Sequence, residues 1–235
     1  MTDPRVDVNK MVRGDSTPFY IACQEGHTEV VKILMNDVRV DVSKATPFYV
    51  ACEKGQYDVV RLLLEDDRID VNKTQYSQKL SPFFVACQTG FVNIVKLLLA
   101  DARVRVNTRT DKGATPLFIA CEKGHLEVVQ LLVKDGRIGL NTPLDNHGTP
   151  FYVACERGHI DIIRYLSSIT TVDVMCAMNG NYTPFYVACS YGRFEVIQFL
   201  LSDERVNPNK PNDDGTSPFY IACQQNHVEV AKLLV

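Results

Sequence analysis

The apolar and polar positions of the chain follow a pattern that repeats. Seven times, a Thr-Pro or Ser-Pro step opens a short apolar and aromatic segment that ends in Ala-Cys, as in residues 17–23. The prolines of these segments are Pro18, Pro47, Pro82, Pro116, Pro150, Pro184 and Pro218, separated by 29, 35, 34, 34, 34 and 34 residues. A period of this length indicates a repeat architecture, in which each unit buries its apolar face against its neighbours.

Each copy predicts two short helices. A Thr or Ser before proline is a favourable N-cap, and proline is well tolerated at the first helical position. Glycine and asparagine accept the left-handed conformation of a helix C-terminus, so the first helix is expected to end eight residues after the proline. The residues there are Gly26, Gly55, Gly90, Gly124, Gly158, Gly192 and Asn226. In the second helix, apolar residues such as Val30, Val31, Ile33 and Leu34 form one stripe.

Helices of this length are marginal in isolation, so the pairs are expected to stack. We predict a single domain over residues 1–235 that consists of seven helix pairs. The pairs begin near Thr17, Thr46, Ser81, Thr115, Thr149, Thr183 and Ser217.

The repeated unit resembles that of the ankyrin-repeat family. Residues 113–125, Gly-Ala-Thr-Pro-Leu-Phe-Ile-Ala-Cys-Glu-Lys-Gly-His, match the family pattern G-x-T-P-L-H-x-A-A-x-x-G-H at most positions, and the likeness covers essentially the whole chain. The resemblance implies an all-α solenoid of helix-turn-helix units joined by β-hairpin fingers. It also implies a concave face, formed by the fingers and the first helices, and protein recognition as the usual activity.

Two positions depart from the family pattern in every copy. An aromatic residue replaces the family's histidine at Tyr20, Tyr49, Phe84, Phe118, Tyr152, Tyr186 and Tyr220, and we predict a packing ladder at these positions in preference to an exposed binding stripe. Cysteine replaces an alanine at Cys23, Cys52, Cys87, Cys121, Cys155, Cys189 and Cys223. Packed helices lie about 8 to 10 Å apart, too far for disulfides or a shared zinc ion, so these cysteines are predicted to be buried small hydrophobic residues. Cys176 lies outside this register and is the candidate for an exposed thiol.

Two polar patterns recur as well. Histidine follows the C-terminal Gly or Asn of the first helix at His27, His125, His159 and His227, where we expect a hydrogen bond that locks the turn. An Asp-x-Arg motif follows most second helices, at Asp37, Asp66, Asp101, Asp135 and Asp203, and Ile169 and Thr171 interrupt it after the fifth. We expect the motif to cap helix ends and to pair along the stack, although a recognition stripe is an alternative.

Charge and composition narrow the classes of partner. The net charge is −3, which gives neither the positive field that nucleic acid requires nor a polybasic membrane anchor. The first residues lack the apolar region of a signal peptide, so an intracellular protein of the cytoplasm or the nucleus is expected. The sequence shows no spacing typical of a catalytic, cofactor or metal site, and we predict a non-catalytic protein without cofactors that binds protein and neither nucleic acid nor membrane.

Exposed positions that vary between copies are the candidates for binding a partner. Aromatic residues and arginine are frequent interface anchors, and they concentrate at the junction of the fifth and sixth repeats. The candidates there are Met178, Asn181, Tyr182, Tyr191 and Arg193, with Lys123 and Arg157 at the ends of earlier first helices. A second group, Tyr76, Gln88, Thr89 and Phe91, lies in the third repeat. The alternative for the fifth-to-sixth junction is a degenerate, less stable repeat.

Three further hypotheses concern the array as a whole. The leading function is a scaffold that binds a protein on its concave face and fingers, and the alternative is a structural spacer with little binding of its own. The terminal repeats lack polar outer faces, so we expect either a segment of a longer array or end-to-end self-association. The stretch from Val42 to Pro47 spans 5 residues where its equivalents span 10 or 11, which leaves a notch that either receives a partner segment or has no role.

Overall fold

The computed structural model describes residues 3, 5–12, 16–75 and 79–235. The chain forms two compact units, Met1–Thr110 and Asp111–Val235. The first unit contains α1 (Pro18–Glu25), α2 (Thr28–Asn36), α3 (Pro47–Lys54), α4 (Tyr57–Leu64), α5 (Pro82–Thr89) and α6 (Val92–Ala100). The second contains α7 (Pro116–Lys123), α8 (Leu126–Asp135), α9 (Pro150–Arg157), α10 (Ile160–Ser167), α11 (Pro184–Ser190), α12 (Phe194–Leu200), α13 (Pro218–Gln224) and α14 (Val228–Leu234). The described residues contain helices and no sheet, which confirms the all-α fold.

Each unit is a stack of helix pairs. The first helices pack on one another, α1 on α3 and α3 on α5 in the first unit, and the second helices pack likewise. The apolar stripe of each second helix is buried in the stack, as Val59, Val60 and Leu63 show in α4. This packing is the helix-turn-helix solenoid arrangement that the repeat pattern predicts.

The ends of the first helices form as the sequence indicates. In six of the seven first helices, the Thr or Ser before the proline accepts a hydrogen bond from the backbone N–H three residues later, as Thr149 does from Tyr152 at 3.1 Å. Every predicted C-terminal glycine has a positive φ, and Asn226 adopts φ 58°. Thr46 is the exception at the N-terminus, since its side chain caps nothing.

The fingers are less regular than hairpins. In the described residues they show isolated β-bridges, Val12 with Ser16, Gln75 with Leu80 and Met178 with Tyr182. In the second unit, backbone N–H groups of one finger donate to carbonyl groups of the preceding finger. Asn179 N lies 3.0 Å from Asn146 O, and Asp213 N lies 2.9 Å from Gly180 O. The fingers of this unit therefore pair with each other along the stack.

The cysteine and aromatic positions are mostly buried, as predicted. Six of the seven in-register cysteines are buried, and burial raises the pKa of the Cys23 and Cys189 thiols to about 12. The prediction is wrong for Cys223, which is exposed, because no helix pair of the described chain packs on its outer side. The aromatic ladder is buried at five positions, while Tyr20 is half-buried and Tyr220 is 58% exposed.

The Asp-x-Arg motif joins consecutive repeats. Within each motif the arginine pairs with its own aspartate, as Arg68 does with Asp66. The same guanidinium donates to a carbonyl at the end of the preceding second helix. Arg68 Nη2 lies 2.8 Å from Met35 O, and Arg103 Nη2 lies 2.7 Å from Leu64 O. This geometry confirms that the motif caps helix ends along the stack.

A row of asparagines, which the sequence analysis missed, joins the loops that follow the second helices. Asn72 Nδ2 donates to Arg103 O at 2.8 Å, and Asn72 Oδ1 accepts from Arg105 N at 2.8 Å. Asn9 and Asn141 make the same pair of bonds to the next repeat. The recurrence of asparagine after Val or Leu was the available signal, but its partners lie in another repeat.

The aspartates of the motif make stability depend on pH. The hydrogen bond from Arg39 holds the pKa of Asp37 at about 2, and the corresponding bonds lower the pKa of Asp66 and Asp101. A carboxyl group with a lowered folded-state pKa adds stability that is complete above about pH 4 and is lost as the pH falls through the folded-state value. We therefore expect the free energy of unfolding, measured with urea, to fall from about pH 4 towards pH 2.

Asp37→Asn is expected to flatten part of that pH dependence. The control is Glu204→Gln, because Glu204 is exposed and makes no ion pair in the part of the chain that the structure describes. An equal flattening by both variants would contradict this account.

The shortened second finger strains its backbone. Ala45, directly before Thr46, has φ 58°, a left-handed conformation that costs an L-residue about 1 kcal/mol. Ala114 occupies the equivalent place before Thr115 and does not have a positive φ. Ala45→Gly should therefore leave the free energy of unfolding unchanged or raise it by up to about 1 kcal/mol, whereas Ala114→Gly should lower it by about 0.5 to 1 kcal/mol. Urea unfolding measures both, and an equal loss would exclude strain at Ala45.

Candidate protein-binding surfaces

The second unit gathers four tyrosines at the junction of its α9 and α11 repeats. The rings of Tyr182 and Tyr186 meet edge to face with centroids 5.2 Å apart. Burial raises the pKa of Tyr152, and the neighbouring Glu156, Tyr191 and Tyr182 raise it further. Tyr182 and Tyr191, which the sequence predicts as binding residues, thus lie in the same neighbourhood. We call Tyr152, Tyr182, Tyr186 and Tyr191 the tyrosine cluster.

The members of the cluster differ in exposure. Tyr191, at the C-terminus of α11, is 51% exposed, while Tyr152 and Tyr186 are buried and Tyr182 is half-buried. The sequence analysis places Tyr152 and Tyr186 only in the packing ladder. In the structure these two buried rings also lie beside the more exposed rings of Tyr182 and Tyr191. That second role depends on side-chain directions, which the spacing of residues in the sequence does not give.

Arg193 has a structural role that the sequence analysis did not anticipate. Its Nε donates to Glu156 O, at the end of α9, across 2.8 Å. Its guanidinium also lies over the Tyr191 ring, 5.8 Å from the centroid, within cation–π range. Arg193 therefore holds two repeats together and supports the Tyr191 ring.

Arg193 is the residue that follows the C-terminal glycine of a first helix. Residues at the same position in other repeats make similar hydrogen bonds, which together form a row along the stack. Gln56, His159 and His227 contact the end of the preceding first helix in the same way, with nitrogen to carbonyl-oxygen distances of 2.8, 3.0 and 2.9 Å. The hydrogen bond expected of these histidines is present for His159 and His227, but it joins neighbouring repeats instead of locking the residue's own turn. Phe91 cannot make such a bond, and its ring covers Gly55 instead.

The finger residues of the predicted site are also fixed by the stack. Met178 and Tyr182 form a β-bridge, and Asn181 adopts φ 59° at the turn between them. The Asn181 side chain donates to Asp213 Oδ1 of the next finger at 2.7 Å. The finger therefore presents Tyr182 from a backbone that its neighbour supports.

Two basic candidates lie at the ends of first helices in the second unit. Lys123, at the end of α7, is exposed. Arg157, at the end of α9, pairs with Glu122 of the preceding repeat at 2.9 Å. The structure thus leaves the Lys123 ammonium exposed, while the Arg157 charge is partly neutralised.

The third-repeat candidates belong to the first unit. Gln88 and Thr89 close α5, and the Thr89 hydroxyl donates back to Val85 O at 2.9 Å. Tyr76 lies outside the described residues. Within the described residues this group shows no counterpart of the tyrosine cluster.

Arg193 can be tested with a variant that the chain itself suggests. Arg193→Ala removes the bond to Glu156 O and should lower the free energy of unfolding by about 1 kcal/mol. Arg193→His should retain most of it, because His159 and His227 make the equivalent bond elsewhere. Urea denaturation distinguishes the two, and an unchanged stability of Arg193→Ala would show that the bond contributes nothing.

Comparison with known families agrees with the geometry. A model described as ankyrin repeats in three copies matches residues 2–75 and 70–142, and a model described as ankyrin repeats in many copies matches residues 185–235. A search of curated proteins gave no significant match. Within the described residues, no helix is long and apolar enough to cross a membrane. The family matches together cover more than half of the chain. The chain therefore belongs to the ankyrin-repeat family.

Proposed function

We propose that this protein is a non-catalytic scaffold that binds a protein partner on the concave face and fingers implied by its family. Ankyrin repeats are generally non-enzymatic modules of protein–protein interaction, and the chain carries them over most of its length. The observation that carries the finer proposal is the tyrosine cluster, with the 51% exposed Tyr191 ring at its edge. The contact surface is centred there, at the fifth-to-sixth junction.

The chemistry of the cluster suits an interface anchor. Tyrosine offers a large, rigid contact area at a low cost in side-chain entropy, and its hydroxyl accepts or donates a hydrogen bond at the edge of the contact. The Tyr191 ring packs against the guanidinium of Arg193, and the Tyr182 ring packs edge to face against that of Tyr186. The rings are therefore already positioned before a partner arrives, which reduces the ordering cost of association.

The surroundings of the cluster set the character of the partner. Glu122 and Arg157 neutralise each other, Asp214 lies near Tyr186, and Lys123 is exposed at the end of the neighbouring first helix, α7, so the rim carries charge of both signs. Such a mixed rim suits a polar protein surface and lacks the uniform positive charge that nucleic acid requires. The partner contributes an apolar or aromatic group that covers the exposed rings.

The thiol chemistry supports a location inside the cell. All eight cysteines are free in the structure, and six of them are buried. Unpaired cysteines in this number are typical of a reducing compartment. We accordingly place the protein in the cytoplasm or the nucleus.

A structural spacer is the competing function. It is favoured by the rows of hydrogen bonds between repeats, which stiffen the stack whether or not anything binds to it. The two functions differ in whether the exposed rings of the tyrosine cluster contact a partner. A spacer has no use for Tyr191, whereas a scaffold loses affinity without it.

Tyr191→Ala should weaken binding to the partner by at least about tenfold, because it removes the most exposed aromatic ring of the cluster. The partner is first identified by proximity labelling in the native host, and the affinity is then measured by isothermal titration calorimetry. Tyr182→Ala should weaken binding as well, although part of its effect comes from lost packing against Tyr186.

Tyr57→Ala is the matched control, since Tyr57 is 42% exposed but lies on α4, a second helix of the first unit. Equal affinities of the wild type, Tyr57→Ala and Tyr191→Ala, with unchanged stability, would rule out the tyrosine cluster as the contact surface. Failure to recover any partner with the wild type would favour the spacer.

A further inference from the structure

Three kinds of hydrogen bond join a repeat to the next one, and each kind has an open half in the first and in the last helix pair. The first kind runs from the arginine of the Asp-x-Arg motif to the carbonyl that lies 17 residues after the proline of the preceding repeat. Arg205 Nη2, for example, lies 2.8 Å from Ser167 O. Arg5 has the same place before α1, but its guanidinium donates only to Asp3 among the described residues. Val235 O has the place of the acceptor after α14, and no described group donates to it.

The second kind comes from the residue that follows the C-terminal Gly or Asn of a first helix. His227 Nε2, for example, lies 2.9 Å from Ser190 O, at the end of the preceding first helix. His27 is the equivalent residue of the first helix pair, and its exposed ring has no hydrogen-bond partner in the part of the chain that the structure describes. The equivalent acceptor in the last pair is Gln224 O, which likewise receives no bond from the described residues.

The asparagine row supplies the third kind. Asn9 Nδ2 donates to Arg39 O at 2.6 Å, and Asn9 Oδ1 accepts from Asp41 N at 2.8 Å. Asn209 has the equivalent place beside the last helix pair, and its side chain bonds to none of the described residues. The groups that correspond to Arg39 O and Asp41 N beside the first pair are Arg5 O and Asp7 N, and both are open within the described chain.

The apolar residues of these two helix pairs divide in the same way. Ile21 and Val30 of the first pair are 40% and 45% exposed, although their equivalents in the other six pairs are buried. Phe219 and Cys223 of the last pair are exposed, although their equivalents in the other six pairs are buried as well. The first pair thus exposes the side that meets a preceding pair, and we call it the α1–α2 face. The last pair exposes the side that meets a following pair, and we call it the α13–α14 face.

The α13–α14 face has a shape that receives another helix pair. A hollow of about 550 Å³ lies on it, and its wall includes Ala222, Cys223, His227, Val228, Ala231 and Val235. In the preceding repeat, Cys189 and Ile197 are the equivalents of Cys223 and Ala231, and both are buried where α13 and α14 pack on α11 and α12. Most of this wall is apolar, so contact with another apolar face is favourable.

We infer that the α13–α14 face of one copy of this chain binds the α1–α2 face of a second copy. The contact reproduces the packing between neighbouring helix pairs within each unit. Arg5 of the second copy donates to Val235 O of the first, and the His27 ring donates to Gln224 O. The occupant is a second copy because the two faces carry complementary halves of all three kinds of bond, together with the apolar side chains that such a contact buries.

The two faces differ from each other, so the contact is heterologous. A copy that has bound through one face still offers the other. Association therefore continues past a dimer, to a ring or to an open chain of copies. The tyrosine cluster belongs to neither face, and the inference does not rest on the proposed scaffold function.

Sedimentation velocity of the full chain tests the contact. The weight-average sedimentation coefficient should rise between about 1 µM and about 200 µM, because association follows mass action. Val30→Glu should abolish the rise, since it places an unpaired charge within the contact. Val38→Glu is the matched control, because Val38 is 94% exposed in the loop after α2 and its described equivalents in other repeats are exposed too. A wild-type chain that stays monomeric over the whole range would overturn the inference.

A mixture of two variants tests which faces meet. Val30→Glu blocks the α1–α2 face and Phe219→Glu blocks the α13–α14 face, so each variant alone should be a monomer. Mixed together, they retain one intact face of each kind and should form a heterodimer that grows no further. Circular dichroism and urea unfolding verify that both variants are folded. Association of either variant alone, or no association in the mixture, would exclude this pairing of faces.

The Cys223 thiol reports on the α13–α14 face directly. Labelling with iodoacetamide, followed by mass spectrometry, should be at least about fivefold slower at high than at low protein concentration, because a bound copy covers the thiol. Cys176 is the internal reference, since it is half-buried in a finger and belongs to neither face. An unchanged labelling rate of Cys223 in samples that do associate would place the contact elsewhere. None of these outcomes bears on the tyrosine cluster, so failure here is distinguishable from failure of the scaffold function.

Discussion

The structure depends on the closure of helix ends by the neighbouring repeat. Fourteen helices of seven to ten residues in the described chain have many terminal N–H and carbonyl groups relative to their length. A residue's own repeat supplies the N-cap of the first helix, but the carbonyl ends of both helices accept side chains from the repeat that follows. Arg68 reaches Met35 O, and Arg193 reaches Glu156 O. Within each unit, a repeat therefore completes the helix ends of the one before it.

This division explains what the sequence could predict. The N-cap, the proline and the C-terminal glycine act within a few residues, so their positions alone predicted the helix ends. The partners of Arg193, His159 and Asn72 lie more than thirty residues away in sequence. Their residue types recur, which signals a structural role, but the carbonyl group that each one contacts depends on how the repeats stack. For the same reason the exposed Cys223 departs from its six buried equivalents, since burial is conferred by the adjacent helix pair.

The same constraint separates residues that are used by the stack from residues that remain available. Arg193 looked like a binding residue because arginine is frequent at interfaces, but its Nε is committed to Glu156 O. Tyr191 lies two residues earlier and makes no bond that holds the repeats, so its ring can be covered by another protein without loss to the fold. Arg193 contributes indirectly by holding that ring. The effect of a variant at Arg193 on binding must therefore be corrected for its effect on stability.

The second repeat shows what happens where the local part of the pattern fails. The shortened finger forces Ala45 to φ 58° and turns Thr46 away from the helix it should cap, while the rest of the second repeat stacks normally. Neighbouring repeats close carbonyl ends, and none of their described side chains reaches the N–H of Tyr49. The start of α3 therefore shows that a local capping motif works only when the loop before it delivers the chain at the right angle.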